Sequence, residues 1–516
     1  IKEEIKNIIQ NIVRDDSLNF SVETSSHADY SSNVALILAK KENKNPKEVA
    51  ESIKEKIESS LFSKIETVTG FINFFIDENY LQKQLKVILK EKEKFGNLNI
   101  GKNKKINVEF ISANPTGPLT LGNGRGGFGG DVLAKVLEKA GYKVSREYYI
   151  NDTGAQITKL GHSVMQDEEA VYKGEYIDDL RNKIKNNDAE IVGKLAGELI
   201  LKNLIKPSVK KMGIKFDTWF SESILYKNKE VDKAIAELTK KGFTYENEGA
   251  LWFKSIDLGD DKDRVLVRAD GVKTYFASDI AYLRNKFNRG FNKLIIFLGA
   301  DHYGYVARLK AGCHALGYNT ENVDAIVLQL VKLFEDGKEV RMSKRAGTYV
   351  TIDELIDEVG LDATRFFFLQ RSLNTHFNFD MDLAKEKSDK NPVFKVQYAY
   401  ARINSIFTKT KIKPKQNLEL LKEESELELI KQLIRFPEII KDIAEDYQLQ
   451  RLPNYAIELA DVFHKFYEKC RVVTGDKKLT EARLSLILAT KIVLENTLKL
   501  MGISAPKELK RDEAKK

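Results

Sequence analysis

The spacing of apolar positions predicts a small α+β unit over residues 1–101. Isoleucines recur on one helical face at Ile1, Ile5, Ile8 and Ile12. A second helix is predicted to begin at Asn45-Pro46, because proline suits the first helical turn. The stretch Val68–Ile76 predicts a strand, and Gly96 and Gly101 mark the end of the unit.

From Lys105 onward, apolar strands alternate with helices. Strands are predicted at 106–110, 144–150, 294–298 and 325–331, and a helix at Gly124–Ala140, closed by Gly141. This alternation predicts an α/β domain over residues 102–382, built on a doubly wound parallel sheet. A polar stretch from Gln166 to Lys194 interrupts the pattern and is interpreted as an insertion.

After Asp382 nearly all of the chain has helical spacing. Helices are predicted over Leu418–Glu445, Tyr455–Val473 and Leu479–Met501, so residues 383–516 are expected to form an all-α bundle. Just before it, Thr351 and Glu354 have the spacing of a capping box, which opens a helix that ends at Gly360.

Composition narrows the class of protein. The chain has 516 residues, of which 42% are hydrophobic, enough for several cores. It has no apolar run of the roughly 18 residues that a membrane span needs and no recognisable signal peptide, so no membrane association is expected. Cys313 and Cys470 have neither zinc nor disulfide spacing, which fits a reducing cytosol. The net charge of +8 permits a polyanionic partner without requiring one.

The glycine-rich stretch ISANPTGPLTLGNGRGGFGG follows the predicted strand that ends at Phe110. Because ligands of such sheets bind beyond the carboxyl ends of strands, and helix N-termini attract anions, it predicts a nucleotide phosphate site. Two alternatives compete with this. Gly122, Gly124 and Gly127, with Glu147, imitate a dinucleotide-binding fingerprint, although eleven residues separate them from the strand. The glycines could also simply pack a helix onto a sheet.

A second motif lies far along the chain. VRMSKRAG, from Val340 to Gly347, places Arg341, Lys344 and Arg345 on one short basic loop. In isolation such a loop is an ordinary solvated surface. Paired with the glycine stretch, it could close over a triphosphate and stabilise charge on a leaving pyrophosphate.

Together the two motifs resemble the HIGH and KMSKS signatures of class I aminoacyl-tRNA synthetases, and the chain resembles the arginyl-tRNA synthetase family. The resemblance covers nearly the whole chain, in the family's order, and is carried by EFISANPTGPLTLGNGRG, REYYINDTGAQI, GADHYGYVARLKA, RMSKRAGTYVTIDELIDEVGLDATRFFFLQRS, NPVFKVQYAYARINSI, LADVFHKFYEKCRVV and MGISAPKEL. It implies a Rossmann-type catalytic domain between an N-terminal α+β tRNA-binding domain and a C-terminal helical anticodon-binding domain.

The resemblance also implies a set of ATP-binding residues, which are Pro118, Thr120, Gly122, Asn123, Gly124, Asp301, His302, Met342, Ser343 and Lys344. Thr120, Gly122, Asn123 and Lys344 would be catalytic. Both histidines of the first signature are absent here, where Thr120 and Asn123 stand, although a hydroxyl and an amide still donate hydrogen bonds. In the second signature Arg341 and Arg345 replace a lysine and a serine, while the central lysine is kept as Lys344.

Residues for the other two substrates follow from the same resemblance. The arginine-binding residues would be Glu109, Ser112, Asn114, Tyr275 and Asp279, with the Asp279 carboxylate facing the guanidinium. The tRNA-binding residues would be Phe71, Asn73, Gln397, Tyr398 and Arg402, although Tyr398 is equally interpreted as bundle core.

The implied activity is ATP-dependent activation of L-arginine and its transfer to tRNA(Arg), with Mg²⁺ accompanying ATP and no metal held by the protein itself. A monomer in the cytoplasm is expected. Two other classes stay open. A dinucleotide-dependent oxidoreductase would leave RMSKR without a role, and a non-enzymatic RNA-binding relative of the synthetases would have lost its histidines and kept its fold.

Overall fold

The computed structural model describes residues 1–300, 304–340 and 350–510. Its N-terminal part is a four-stranded antiparallel sheet in the order β1-β2-β4-β3, covered by helices. The strands are β1 Val22–Thr24, β2 Tyr30–Ser32, β3 Phe62–Val68 and β4 Phe71–Ile76. The helices are α1 Lys2–Val13, α2 Val34–Glu42, α3 Pro46–Glu55 and α4 Glu78–Glu91.

The two helices predicted in this part are confirmed as α1 and α3, but the single strand predicted over Val68–Ile76 is wrong. The chain reverses at Thr69-Gly70, where both residues have positive φ, 51° and 91°. Two consecutive left-handed residues form the kind of tight turn that matches strand twist, so the stretch is a β3–β4 hairpin. The apolar alternation continues on both sides of the turn and conceals it.

The middle of the chain contains the remaining strands. They are β5 Lys105–Glu109, β6 Lys143–Ile150, β7 Thr218–Ser221, β8 Thr244–Asn247, β9 Ala250–Phe253, β10 Arg264–Val267, β11 Lys293–Leu298, β12 Val323–Val327, β13 Val331–Glu335, β14 Lys338–Val340 and β15 Phe377–Asp380. The helices here are α5 Leu121–Lys139, α6 Ala155–Met165, α7 Glu175–Lys183, α8 Ala189–Ile200, α9 Lys206–Lys211, α10 Ser223–Lys227, α11 Glu230–Lys240, α12 Tyr275–Asn288, α13 Tyr305–Ala315, α14 Ile352–Val359, α15 Leu361–Leu369 and α16 Met381–Lys385.

Five of these strands form the predicted parallel sheet, in the order β12-β11-β5-β6-β7. Strands β6 and β7 lie on one side of β5, and strands β11 and β12 lie on its other side. The strand order therefore reverses at β5, and such a reversal opens a crevice at the carboxyl ends of the strands. The strand predicted at 325–331 is wrong in extent: β12 ends at Val327, and Val331 opens β13 of a different sheet.

The polar stretch interpreted as an insertion folds onto the α/β part of the chain. Its second half enters α8, which packs closely on α6 through two glycines. A Cβ on Gly161 would lie 1.8 Å from the Ala189 carbonyl oxygen, and one on Gly193 would lie 1.9 Å from the Ile157 carbonyl oxygen. Tyr176 of α7 donates to the Thr116 carbonyl at 3.0 Å, so the stretch abuts the loop that precedes α5.

The C-terminal part is helical, as predicted. Its helices are α17 Pro392–Lys409, α18 Glu424–Ile434, α19 Phe436–Asp446, α20 Arg451–Lys469 and α21 Lys477–Met501. The helix predicted over Leu418–Glu445 is in fact two helices, because Pro437 at the start of α19 cannot continue the hydrogen-bond ladder of α18. In the parts of the chain that the structure describes, no helix is long and apolar enough to cross a membrane.

We expect Gly193→Ala to destabilise the protein by roughly 1–3 kcal/mol, because the new methyl group would collide with the backbone of α6. Thermal unfolding of the variant and the unmodified chain measures the change. Gly475→Ala is the matched control, since a Cβ there meets no atom within 4 Å. Equal losses in both variants would show that the α6–α8 contact tolerates a methyl group.

Candidate active site

The chain beyond β5 enters the crevice through a strained turn. Ile111 and Ser112 have φ values of 65° and 41°, and positive φ is unusual for a β-branched residue. The Ser112 hydroxyl donates to Glu109 Oε1 at 3.2 Å and accepts from the Tyr149 N–H at 3.1 Å. Strain of this kind persists where the surrounding contacts hold it, and here it turns the chain across the strand ends.

Helix α5 begins at Leu121, three residues before the start predicted from the sequence, because Thr120 and Asn123 form a capping box. Asn123 Oδ1 accepts from the Thr120 N–H and hydroxyl, both at 2.9 Å, and Thr120 Oγ1 accepts from the Asn123 N–H at 3.4 Å. Gly122 and Gly124 therefore lie inside a helix rather than in a strand–helix turn. A dinucleotide fingerprint requires the turn, so that interpretation is wrong.

The glycines of α5 have two different surroundings. A Cβ on Gly124 would lie 2.5 Å from Ile352 Cδ1, and one on Gly130 would lie 2.2 Å from Phe110 Cγ. Gly122 is exposed, and the nearest atom to its Cβ would be Thr120 Oγ1 at 3.7 Å. Helix packing thus explains Gly124 and Gly130, whereas Gly122 leaves open space beside the helix N-terminus, where N–H groups bind anions.

Backbone contacts join the residues before α5 to the start of α14. Thr351 pairs with Thr120 in an isolated antiparallel bridge, and the Ile352 N–H donates to the Leu119 carbonyl at 3.0 Å. Thr351 also caps α14 with Glu354, as predicted. The start of α5 and the start of α14 are therefore each held by a capping box and joined to one another by backbone hydrogen bonds. The predicted residues Met342, Ser343 and Lys344, with Arg341 and Arg345, lie outside the described residues, as do Asp301 and His302.

Helix α12 carries two of the predicted arginine-binding residues on one face. Tyr275 is 46% exposed, and its hydroxyl accepts from the Ala155 N–H at 3.1 Å. Asp279 is half-buried and accepts a hydrogen bond from the Tyr305 hydroxyl. Burial, and then the nearby carboxylates of Glu222 and Glu109, raise the pKa of Asp279 well above its usual range. A cation entering this pocket would remove that penalty.

Glu222 belongs to the same pocket and was not selected from the sequence. It follows β7 directly, so the rule that ligands bind beyond strand ends could have found it. Only 1% of it is exposed, and it accepts from the Ser278 hydroxyl at 2.7 Å and the Thr153 hydroxyl at 2.8 Å. Burial, followed by the charge of Asp152, raises its pKa.

Glu109 forms the third wall of the pocket. It is buried at the end of β5 and accepts from the ammonium group of Lys286, which is fully buried on α12. The carboxylates of Glu109, Glu222 and Asp279 thus lie close enough to influence one another, and Lys286 pairs with the first of them. Asn114, the remaining predicted arginine-binding residue, is half-buried and donates to Gln156. Pro118 is half-buried in the loop before α5.

Predicted tRNA-binding residues on the C-terminal helices divide into two kinds. Arg402 lies over the rings of Tyr398 and Tyr467, 4.8 Å and 5.0 Å from their centroids, and donates to the Tyr398 hydroxyl at 3.1 Å. Tyr467 is 37% exposed, so this stack is open to an aromatic base. Gln397 is instead buried and donates to Asp362 at 2.8 Å, which favours a structural role.

The N-terminal pair divides in the same way. Phe71, directly after the hairpin turn, is 42% exposed, whereas Asn73 is only 7% exposed. Asn73 pairs with Ser31 and Glu66 on the neighbouring strands. A base or ribose could therefore contact Phe71 without rearrangement of the protein. It could reach only the small exposed part of the Asn73 side chain.

Three stretches of the chain match known families. Residues 1–76 match the arginyl tRNA synthetase N terminal domain, residues 84–191 and 166–369 the tRNA synthetases class I (R) catalytic domain, and residues 396–509 the DALR anticodon binding domain.

Similar proteins were found among curated sequences and solved structures. The arginine–tRNA ligase of Carboxydothermus hydrogenoformans is 44% identical over 96% of this chain and 95% of its own length. That of Caldanaerobacter subterraneus is 44% identical over 98% of this chain and 99% of its own length. The Thermus thermophilus arginyl-tRNA synthetase structure has a TM-score of 0.79 at 20% identity and covers 99% of this chain and 100% of that one. The Plasmodium falciparum arginyl-tRNA synthetase structure has a TM-score of 0.81 at 20% identity. The match covers 98% of this chain and 99% of that one. At such identity the structures show the shared fold.

The Arg402 cluster generates a prediction about acid stability. Burial and the charge of Arg402 lower the pKa of His464 to about 4. The unfolded chain, with a histidine pKa of about 6.5, takes up the proton first, so stability is lost as pH falls from about 6.5 towards about 4. We expect the His464→Gln variant to lose roughly 2–3 kcal/mol less of its free energy of unfolding than the unmodified chain over this fall in pH. Thermal unfolding at about pH 7 and about pH 4.5 measures it, and identical losses in both proteins would contradict the buried neutral imidazole.

Proposed function

The chain belongs to the arginyl-tRNA synthetase family of class I aminoacyl-tRNA synthetases, and we propose from this membership how its site performs the reaction. It is an arginine–tRNA ligase. The observation that supports the assignment of the site is the carboxylate pocket at the strand-order reversal. A guanidinium is permanently charged and forms paired hydrogen bonds with carboxylates, so this pocket suits arginine better than any neutral amino acid.

Arginine would enter with its side chain between Glu222 and Asp279. Tyr275, one helical turn before Asp279, would close the pocket over the aliphatic part of the side chain. Glu109, Ser112 and Asn114 lie at the end of β5, and there they would hold the α-ammonium group. This arrangement leaves the substrate carboxylate directed towards the N-terminus of α5.

The first step is the attack of that carboxylate on the α-phosphorus of ATP. A carboxylate oxygen bonds to phosphorus as the bond to the bridging oxygen of pyrophosphate breaks, which gives arginyl-adenylate and pyrophosphate. The N-terminus of α5, with Thr120, Asn123 and the open space at Gly122, would hold phosphates, and Lys344 would stabilise the leaving pyrophosphate. Asp301 and His302 would border the ribose and adenine. Catalysis is then largely positioning and charge stabilisation.

Mg²⁺ would arrive with ATP, held through the phosphates and water. In the second step the terminal ribose hydroxyl of the tRNA attacks the adenylate carbonyl and AMP leaves. The Tyr398–Arg402–Tyr467 stack would contact anticodon bases and Phe71 the tRNA elbow. We expect the protein to act in a reducing cytoplasm, which its two free, buried cysteines fit, and we also expect a monomer.

The alternative of a non-enzymatic RNA-binding relative is tested by the same assay as the proposal. ATP–pyrophosphate exchange is measured with arginine, with and without tRNA(Arg). Arginine-dependent exchange that requires tRNA supports the proposed function. Its absence, with tRNA binding intact, would favour the non-enzymatic relative.

Replacing Lys344 by Ala should slow adenylate formation by roughly two to three powers of ten, the cost of removing one preorganised charge donor. Arginine affinity should be nearly unchanged, because the loop acts on the pyrophosphate. The readouts are the exchange rate and the arginine KM. An unaltered rate would remove this lysine from the mechanism.

Asp279→Asn should weaken arginine binding by roughly 2 to 4 kcal/mol, because it keeps the shape and removes a charge that faces the guanidinium. The arginine KM in the exchange assay measures this, while the ATP KM should stay constant. Asp357→Asn, which removes a half-exposed carboxylate paired with Lys211, is the matched control. If the two variants have the same arginine KM, Asp279 is structural.

A further inference from the structure

Five polar side chains form a stripe along α12 and its C-terminal end, and the last three of them contact carboxylates on the strands of the parallel sheet. Their spacing of three and four residues keeps them on one helical face, and they are Tyr275, Asp279, Tyr282, Lys286 and Arg289. Tyr282 donates to Glu147 on β6, and the Lys286 ammonium lies 4.3 Å from the centroid of the Tyr282 ring. Arg289 binds both oxygens of Glu147, at 2.6 Å and 2.7 Å. In the C-terminal half of the stripe, Tyr282, Lys286 and Arg289 thus form a network of contacts around Glu147.

Charge along this stripe is not balanced within the protein. Glu147 pairs with Arg289, and Lys286 pairs with Glu109. Within the described residues, Glu222 and Asp279 form no ion pair with a lysine or an arginine. When Glu109, Glu222, Asp279 and Lys286 are all ionised, these four side chains carry a net charge of minus two. Bound arginine would place its guanidinium and α-ammonium groups among them and its carboxylate towards α5, so its two cationic groups would offset this excess of negative charge.

We propose that Lys286 is a positioning residue that sets the charge of the arginine pocket, and through it the proton competition that arginine must overcome. It acts through Glu109 and does not itself contact the substrate. With Lys286 present, the remaining negative charge of the pocket matches the guanidinium and α-ammonium groups of arginine. Without it, a third uncompensated carboxylate is relieved most easily by protonation, because like charges in a poorly solvated space cannot all ionise.

Other titratable groups surround these three carboxylates and Lys286, and they also contribute to the charge of the pocket. The charged ones are Asp152 after β6, Glu147 on β6 and Arg289 after α12. The tyrosines are Tyr149 on β6, Tyr226 on α10, Tyr275 and Tyr282 on α12, and Tyr305 on α13. Burial raises the pKa values of Tyr149, Tyr226 and Tyr282, so these tyrosines stay neutral and leave the carboxylates and Lys286 to set the charge.

The test is the pH dependence of the arginine KM, measured by ATP–pyrophosphate exchange with tRNA(Arg) from about pH 6 to about pH 9. A carboxyl group with a raised pKa holds a proton at low pH that arginine must displace. The KM of the unmodified enzyme should therefore fall with rising pH to a plateau. Lys286→Gln keeps a hydrogen-bond donor and removes the charge. It should move the midpoint of this fall upward by about one to three pH units and raise the KM about tenfold or more at neutral pH.

For two further variants we expect the midpoint of the pH dependence either to stay unchanged or to move in the opposite direction. Lys286→Arg keeps the charge and should retain the native midpoint. Glu109→Gln removes one anion and should lower the midpoint, even though it raises the KM, so the proposal remains testable if Lys286→Gln does not fold. Arg284→Gln is the matched control, since Arg284 lies on the same helix but pairs with Glu230 and Glu237 at 3.0 Å and 2.8 Å. It should leave the midpoint unchanged.

This inference rests on the proposed function, yet the two fail differently. An unmodified chain without arginine-dependent exchange at any pH would overturn the function. An active native enzyme in which Lys286→Gln raises the KM by the same factor at every pH would overturn only the role of Lys286, which would then be structural. Movement of the Glu109→Gln midpoint upward would overturn it as well.

Discussion

Charged groups that leave water must be neutralised by their neighbours, and helix α12 places a polar stripe against the sheet where little water remains. Near its C-terminal end, Arg289 and Glu147 satisfy one another. At the other end, Asp279 and the strand-end glutamates have too few cations. The imbalance lies at the strand-order reversal, where ligands of such sheets bind, so in the proposed function the missing charge is supplied by the substrate. In that proposal, the contacts that pack α12 also determine what the pocket accepts.

The nucleotide half of the site depends on backbone rather than charge. The bridge between Thr120 and Thr351 joins the start of α5 to the start of α14, so two helix starts far apart in sequence lie side by side. Gly124 makes this possible, since any side chain there would displace Ile352. Positioning of this kind is what phosphoryl chemistry chiefly requires from a protein.

Sequence patterns predicted the parallel sheet because buried strands are short apolar runs with clear ends, as at Ile106 and Leu294. They missed the first turn of α5, since glycine is a poor helix former and only the Thr120–Asn123 hydrogen bonds reveal the true start. Glu222 stood in a polar stretch after a short strand and went unnoticed. Lys286 looked like any other lysine, because a buried polar stripe is visible only once the packed face of a helix is known.

The loss of both signature histidines has a structural counterpart at the start of α5. Thr120 and Asn123 satisfy one another and the helix end, and threonine is a better N-cap than residues without a short oxygen-bearing side chain. The N–H groups of Leu121 and Gly122, in the first turn, have no acceptor within the helix, and Gly122 adds no side chain to cover them. Two imidazole donors are thus replaced by a rigidly capped helix end. Since a preorganised donor costs no rearrangement when charge develops, a fixed backbone N–H can take over work that a mobile side chain would otherwise do.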